Sequence, residues 1–412
     1  MDFSVLREKQ FLNLWLGQTI SQVGDGFYYI LFMFMVSKVT GSSAIVGLVG
    51  ALEALPFLIF GAYAGVLADR IDRRRIMMIS DLASGAALLA FGFIVIFSTK
   101  PPVWSLLLMP FLLSSARCLF MPAKSAAIPS LVPVDLVVKA NALSNFAFTG
   151  TQLIGLSGTA IVISLLYTLS PTVFYASSVC LNALSFFVSA AFIRKLPRLL
   201  PDRENPKEAH PMEDFKAGLA YIRSRRELVI LTVVGAFIRL MISPFFVVYL
   251  AVNLAWFGGK PQLLAWMEFS FFAGMVVGTA AMTRVKVNRP MAWFTYGITI
   301  VGACVSLMAF ASWFPLFVTL NVLSGLALPL ADVPVPAYLQ VSVPDAFRGR
   351  VNSVREMLAQ GVVPVGIGLG GVVVERYGFV VSFLIMGLGM MVPCLIAALD
   401  RSFYGARMPV TG

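Results

Sequence analysis

The sequence predicts an all-α integral membrane protein, with twelve transmembrane helices in two pseudo-symmetric six-helix halves. Three observations carry the prediction. Of 412 residues, 59% are hydrophobic and only 12% charged, and the mean hydropathy is +0.87; soluble domains run near half apolar and about a quarter charged. The apolar residues, roughly 243 of them, gather into twelve runs, each long enough for the ~20 residues that a helix needs to cross the hydrocarbon layer. Residues also recur at an offset close to half the chain length.

The runs lie at 11–36, 44–68, 76–97, 103–121, 139–167, 172–193, 229–252, 262–283, 291–310, 313–333, 351–374 and 379–399. Lipid offers no partner for a backbone N–H or C=O, so each run must satisfy its own groups as a helix. The short alternating segments of a β-barrel are absent. The first run places Gln18, Gln22, Asp25 and Tyr29 at i, i+4, i+7 and i+11, which is one helix face, with Asp25 near mid-span. No small-residue cleavage site follows it, so no cleavable signal peptide is expected. The second run carries Glu53, the third begins near Asp81, and the fourth holds Arg117. In the fifth, Asn145 continues a polar stripe with Asn141 and Thr149, and Gln152 follows. The seventh carries Arg239, the eighth Glu268, the tenth ends at Asp332, and the eleventh holds Glu356 and Gln360.

The long polar stretch from Arg194 to Glu227 contains four prolines and falls near the chain midpoint. It reads as a linker with an amphipathic helix around 213–226, because it has too few apolar residues for a core. The expected division is therefore 1–193, 194–227 and 228–412. The repeat supports it. Lys139-Ala-Asn141 and Arg350-Val-Asn352 match at an offset of 211, with Pro133 and Pro344, Gly150 and Gly361, and Gly155 and Gly366. Asn352, Glu356 and Gln360 answer the stripe of the fifth run. Glu53 and Glu268 correspond at 215, and Asp25 and Arg239 at 214.

The net charge is +11. In a soluble protein that would suggest nucleic acid; here it reports basic loops on one side. With the N-terminus inside, Lys38, Lys100, Lys260 and Arg376 fall in outer loops and Arg117 and Arg239 inside spans. All the other 25 Lys and Arg then fall in cytoplasmic loops and tails, so both termini are expected on the cytoplasmic side of the cell membrane. Cys118, Cys180, Cys304 and Cys394 sit in apolar runs without C-x-x-C spacing, as buried free thiols. The single histidine, His210, is in the linker, so no metal cluster and no cofactor is expected. Gly366-Ile-Gly368-Leu-Gly370-Gly371 satisfies G-x-G-x-x-G inside an apolar helix with no preceding strand, the wrong setting for a dinucleotide. Gly258-Gly-Lys260 lacks the spacing of a phosphate loop.

The loop after the second run reads Gly65-Val-Leu-Ala-Asp69-Arg70-Ile-Asp72-Arg73-Arg74-Arg75. It resembles the G-x-x-x-D-R-x-G-R-R-R/K signature of the major facilitator superfamily, with Asp72 where the family usually has Gly. The resemblance implies that fold, built of repeated halves as many secondary transporters are. It also implies a cytoplasmic gate at Gly65, Asp69, Arg70, Arg73 and Arg74, with Asp332 as further gate structure. Gly65 is the residue expected to admit a close helix approach.

Trp15-Leu-Gly17-Gln18 with Ser21 and Asp25, Thr40-Gly-Ser-Ser-Ala44, Leu67-Ala-Asp69-Arg70, Pro122-Ala123 through Ile128-Pro129-Ser-Leu-Val-Pro133, and Phe347-Arg-Gly349-Arg350-Val351 resemble the macrolide-efflux branch of drug:proton antiporters. Arg117 resembles the arginine many antiporters carry in the fourth helix. Gly150, Gly155 and Gly158 keep the glycines of the antiporter fifth-helix motif but not its proline. The resemblance implies export of amphipathic or cationic drug-like compounds in exchange for protons, and no enzymatic activity.

Asp25, Glu53, Glu268 and Arg117 are the expected coupling residues. Gln18, Gln22, Asp25, Tyr29, Arg239, Asn145, Gln152, Glu356 and Gln360 are the expected cavity residues. Asp25 either titrates or is held in a fixed pair with Arg239. Expected partners are a small-molecule substrate, protons and the lipid bilayer, with no nucleic acid and a monomeric protein. Export of a lipid or siderophore-like metabolite is the alternative on the same fold. A membrane-embedded enzyme or receptor is remote, since no nucleophile–base set and no intramembrane histidine is present.

Overall fold

A computed structural model describes residues 3–68, 70–98, 100–133, 136–137, 139–141, 143–144, 147, 151, 171–200, 211–282, 284–285 and 287–407. The chain divides into two compact units, Met1–Asn205 and Pro206–Gly412. Among the described residues nine helical stretches are long and apolar enough to cross a membrane.

The first unit contains α1 (Lys9–Thr40), α2 (Ser43–Ala68), α3 (Arg73–Phe97), α4 (Val103–Ala127) and α5 (Pro171–Ile193). At 32 residues α1 is long enough to span. It falls outside the nine because Gln18, Gln22 and Asp25 dilute its apolar character. Gly41 ends it in the left-handed conformation (φ 63), its N–H bonded back to Ser37 O, the geometry glycine adopts without strain. α5 packs against α1 and α3, and α4 against α2 and α3.

Small residues set these contacts. A Cβ on Gly24 of α1 would meet Asn182 Oδ1 at 2.6 Å and Ser185 Oγ closer still, both on α5. A Cβ on Gly65, in contrast, would meet nothing within 4 Å among the described residues, so the close approach expected there is not seen within this unit. The approach of α2 to α4 is made instead around Pro56, inside α2. A proline removes one donor and strains the preceding turn, and α4 answers with its own donors: the Ser114 hydroxyl donates to Glu53 O, and Cys118 Sγ to Pro56 O at 3.6 Å.

The second unit contains α6 (Pro211–Ser224), α7 (Arg226–Ile242), α8 (Phe245–Trp256), α9 (Pro261–Met282), α10 (Pro290–Met308), α11 (Phe314–Asp332), α12 (Pro334–Ser342), α13 (Asp345–Gly361), α14 (Val363–Ala398) and α15 (Arg401–Tyr404). The expected run 229–252 is two helices here, because Pro244 between them cannot continue the hydrogen-bond ladder. Val363–Ala398 covers the end of run 351–374 and run 379–399 up to its last residue, with a sharp turn at Gly378, whose φ of 79° lies in the left-handed region. The amphipathic helix expected at 213–226 is α6. It packs on α13, where Gly218 lies so close that a Cβ would sit 2.6 Å from Arg350 O, and Tyr221 stacks on Phe347 with ring centroids 5.0 Å apart. The remainder packs as α9 on α11, α10 on α11 and α14, and α14 on α7 and α8. Run 139–167 lies largely outside the described residues.

Candidate functional site

The first unit gathers its polar groups around Asp25. The Asn182 side-chain nitrogen donates to Asp25 Oδ1 at 3.2 Å, and the Ser185 hydroxyl donates to Asn182 O at 2.8 Å. Asn182 is fully buried. A buried amide must find its partners inside the protein, and here the partner is a carboxylate in mid-membrane. Arg117 on α4 acts electrostatically on both Asp25 and Glu53, and the two carboxylates act on each other. Two acids therefore share one guanidinium, which can offset only one negative charge at a time. Tyr28 is buried beside both acids and stacks on Phe32 at 5.1 Å. Its neighbour Tyr29, the residue on the expected stripe, is half-buried.

Asp81 on α3 is buried next to Ser189 and within range of the Asp25 charge. One turn along α1, Gln18, Thr19 and Gln22 line a small cleft with Trp15, Lys124 and Ser144. Thr151 donates to Gln22 Oε1 at 3.3 Å. The Trp15 indole N–H is buried and has no acceptor among the described residues. Asn182, Tyr28 and Lys124 were missed by sequence reasoning. For Lys124 the signal was present: it is a lone cation just past the assumed end of the fourth run, and α4 continues through it to Ala127.

The basic loop is a structural node. Asp72 caps α3: its Oδ1 accepts from Arg74 N at 3.1 Å and from Leu199 N at 3.0 Å. Arg73 reaches the carbonyl ends of two helices, Nε to Ala68 O at 3.3 Å and Nη1 to Ala126 O at 2.9 Å. Helix C-termini present unsatisfied carbonyls that attract a cation. Arg70 is exposed and Arg74 half-buried. Asp69 lies outside the described residues.

In the second unit Arg239 on α7 is exposed, and its electrostatic neighbour is Asp332 at the end of α11. Asp25 and Arg239 thus belong to different units, and each has an opposite charge within its own. Glu268 on α9 lies beside Tyr249 of α8. The Tyr249 hydroxyl donates to Asn321 Oδ1, and Asn321 Nδ2 donates to Met267 O at 3.2 Å. Glu356 and Gln360 lie on an exposed face of α13, with Glu356 near Arg355. Asn145 and Gln152 lie outside the described residues. Three of the cysteines, Cys118, Cys304 and Cys394, are buried free thiols and Cys180 is half-buried. Among the described residues no group of His, Cys, Asp and Glu could hold a metal ion.

Residues 1–402 match the family model of the transmembrane secretion effectors. The chain is 26% identical over 381 residues to macrolide efflux protein A of Streptococcus pyogenes, covering 92% of each. It is 22% identical over 382 residues to the staphyloferrin A transporter of Staphylococcus aureus, covering 91% of this chain and 90% of that one. Among solved structures, a mutant of the nucleoside transporter NupG superposes with a TM-score of 0.72 at 13% identity, covering 94% of this chain and 98% of that one. This likeness carries the fold, an all-helical membrane bundle of twelve helices. The chain belongs to the transmembrane secretion effector family of the major facilitator superfamily, and it is a multi-pass membrane transporter of small molecules, not an enzyme.

Proposed function

We propose that the protein exports amphipathic or cationic drug-like compounds in exchange for protons, by alternating access, as a monomer in the cell membrane with both termini cytoplasmic. The observation that carries this reading is the set formed by Asp25, Glu53 and Arg117. Two carboxylates beside one guanidinium leave one negative charge in lipid. A proton neutralises it at little cost, because an unpaired charge at that depth is disfavoured by several kcal/mol. A proton held there and given up when the substrate cation binds elsewhere on the carrier couples the two flows. Tyr28 closes one side of this set. Gln18, Gln22 and Lys124 give the neighbouring cleft polar groups for a substrate. The efflux role named for macrolide efflux protein A of Streptococcus pyogenes supports the outward direction.

The test is substrate-driven proton flux in proteoliposomes with a cationic dye and a macrolide, wild type beside Asp25→Asn. Flux that needs substrate and is lost or reduced in Asp25→Asn supports the reading. Coupled flux that is unchanged in Asp25→Asn removes Asp25 from the mechanism. A second reading, export of a siderophore-like metabolite, draws on the relation to the staphyloferrin A transporter. Transport of a citrate-based siderophore, with neither drug probe moved, would select it.

A further inference from the structure

The charges of the two units correspond more fully than single matches suggest. Glu53 and Glu268 stand 215 residues apart, Asp25 and Arg239 stand 214 apart, and Arg117 and Asp332 stand 215 apart. Each unit therefore carries three charged side chains at equivalent places: on its first, second and fourth membrane spans. Within each unit the first and fourth positions are electrostatic partners. Their signs are exchanged, acid then base in the first unit and base then acid in the second. The second-helix carboxylate is common to both, but its surroundings differ. Glu53 has Arg117 as a neighbour. In the second unit Arg239 is matched with Asp332, and among the described residues no cationic side chain offsets Glu268.

The surroundings of Glu268 are aromatic. On α9, Glu268, Phe271 and Phe272 stand at i, i+3 and i+4, one face of the helix. From α8, Phe245 lies 4.4 Å from Tyr249 and 6.2 Å from Phe271, ring centroid to centroid. The Tyr249 hydroxyl is committed to Asn321, which fixes the ring. The ionisable group facing Glu268 from α8 is Tyr249; α11 contributes no ionisable residue before Asp332 at its end, which belongs with Arg239. A lone carboxylate with phenylalanines on its own helix face and more aromatic rings on the neighbouring helix is the chemistry that holds an organic ammonium, through charge and cation–π attraction together.

We propose that the two units divide the work: Asp25, Glu53 and Arg117 hold the coupling proton, and Glu268 with its aromatic wall is the anchor for the cationic group of the substrate. An unpaired charge in lipid is costly, so in the empty carrier a proton competes for Glu268. When the substrate's quaternary or protonated amine arrives, the Glu268 O–H bond breaks, the proton leaves to water, and the carboxylate pairs with the cation. The proposal rests on the exporter reading above.

The experiment is equilibrium binding of tetraphenylphosphonium, a permanent cation with no proton of its own, to the full-length detergent-purified protein across a pH series. Wild type, Glu268→Gln and Glu268→Asp are compared, each checked for a monodisperse elution profile, and Asp25→Asn is set beside wild type for proton flux in proteoliposomes. Wild-type affinity should rise with pH, by up to tenfold per unit where one proton competes with one cation. Glu268→Gln should bind at least about tenfold more weakly and without pH dependence. Glu268→Asp should retain part of both, which a merely structural role would not predict. Asp25→Asn should move fewer protons per substrate, since only the proton that Glu268 exchanges for the cation remains. Wild-type affinity and pH dependence in Glu268→Gln would overturn the assignment. An unchanged number of protons moved per substrate in Asp25→Asn would instead overturn the coupling role of Asp25 and leave the Glu268 anchor standing.

Discussion

Asp72 stands where the superfamily signature usually has glycine, and it makes two backbone bonds that glycine could not. It caps α3 and holds Leu199 N. Asp72→Ala should destabilise the detergent-solubilised protein by about 1–2 kcal/mol for the lost cap alone, read as a lower melting temperature. Asp72→Asn keeps an acceptor oxygen and should recover most of the loss. Asp400 makes a similar cap outside the membrane. Its oxygens accept from Ser402 and Phe403 and pair with Arg226 Nε at 2.7 Å. The Ser402 hydroxyl, then the backbone N–H groups and Arg226, hold its carboxyl below the usual carboxylate range. A lowered value means that the contact contributes fully at neutral pH and is lost as pH falls through that lowered value. Amide exchange of residues 401–404 should therefore stay slow to below the ordinary aspartate range and then quicken, and Asp400→Asn should abolish the step.

How much of the site could be read in the sequence is also a matter of single residues. Asp25, Glu53 and Arg117 were visible because a charge in an apolar run stands out. Their mutual arrangement was not, since Arg117 and Arg239 were equally available as partners, and only the fold of the first unit brings the Arg117 charge to Asp25. Tyr28 was passed over for Tyr29 because one residue turns a helix by about 100°, less than the width of the face that a polar stripe defines. Asn182 gave no warning, being one amide among many polar residues.

At the scale of elements, apolar run length fixed where helices lie, but it marks the membrane rather than the helix. α1 and α4 run beyond the expected limits, since Lys9 and Lys124 continue a helix as readily as leucine does. The break at Pro244 was legible in principle, as was the turn at Gly378. Contact between elements was the least legible layer, because nothing in a sequence tells which glycine meets a neighbour. That difference is testable. Gly24→Leu drives a side chain into Asn182 and Ser185 and should cost at least the ~1–3 kcal/mol of an overpacked core, seen as reduced yield of folded protein. Gly65→Leu meets no neighbour among the described residues and should fold like wild type.

For the molecule as a whole, the distribution of basic residues predicts a topology that labelling can check. Lys260 and Arg223 are both exposed. In a background lacking the native cysteines, Lys260→Cys should react with a membrane-impermeant maleimide on intact cells, and Arg223→Cys only after permeabilisation. The reverse pattern would place the termini outside.

The bond between Asn182 and Asp25 spans 157 residues of chain. A ribosome adding about 5–20 residues per second makes the second partner roughly 8–30 s after the first. Throughout that interval α1 stands in or near the bilayer with an acid at mid-depth, costing about 2.5–3.5 kcal/mol at a helix centre, and without the amide that will receive it. A helix so placed either rests in the polar interior of an insertase or waits at the surface. Biogenesis of this transporter is then limited by custody of its first helix, and its yield should fall when insertase capacity is depleted, more steeply for the natural sequence than for Asp25→Asn.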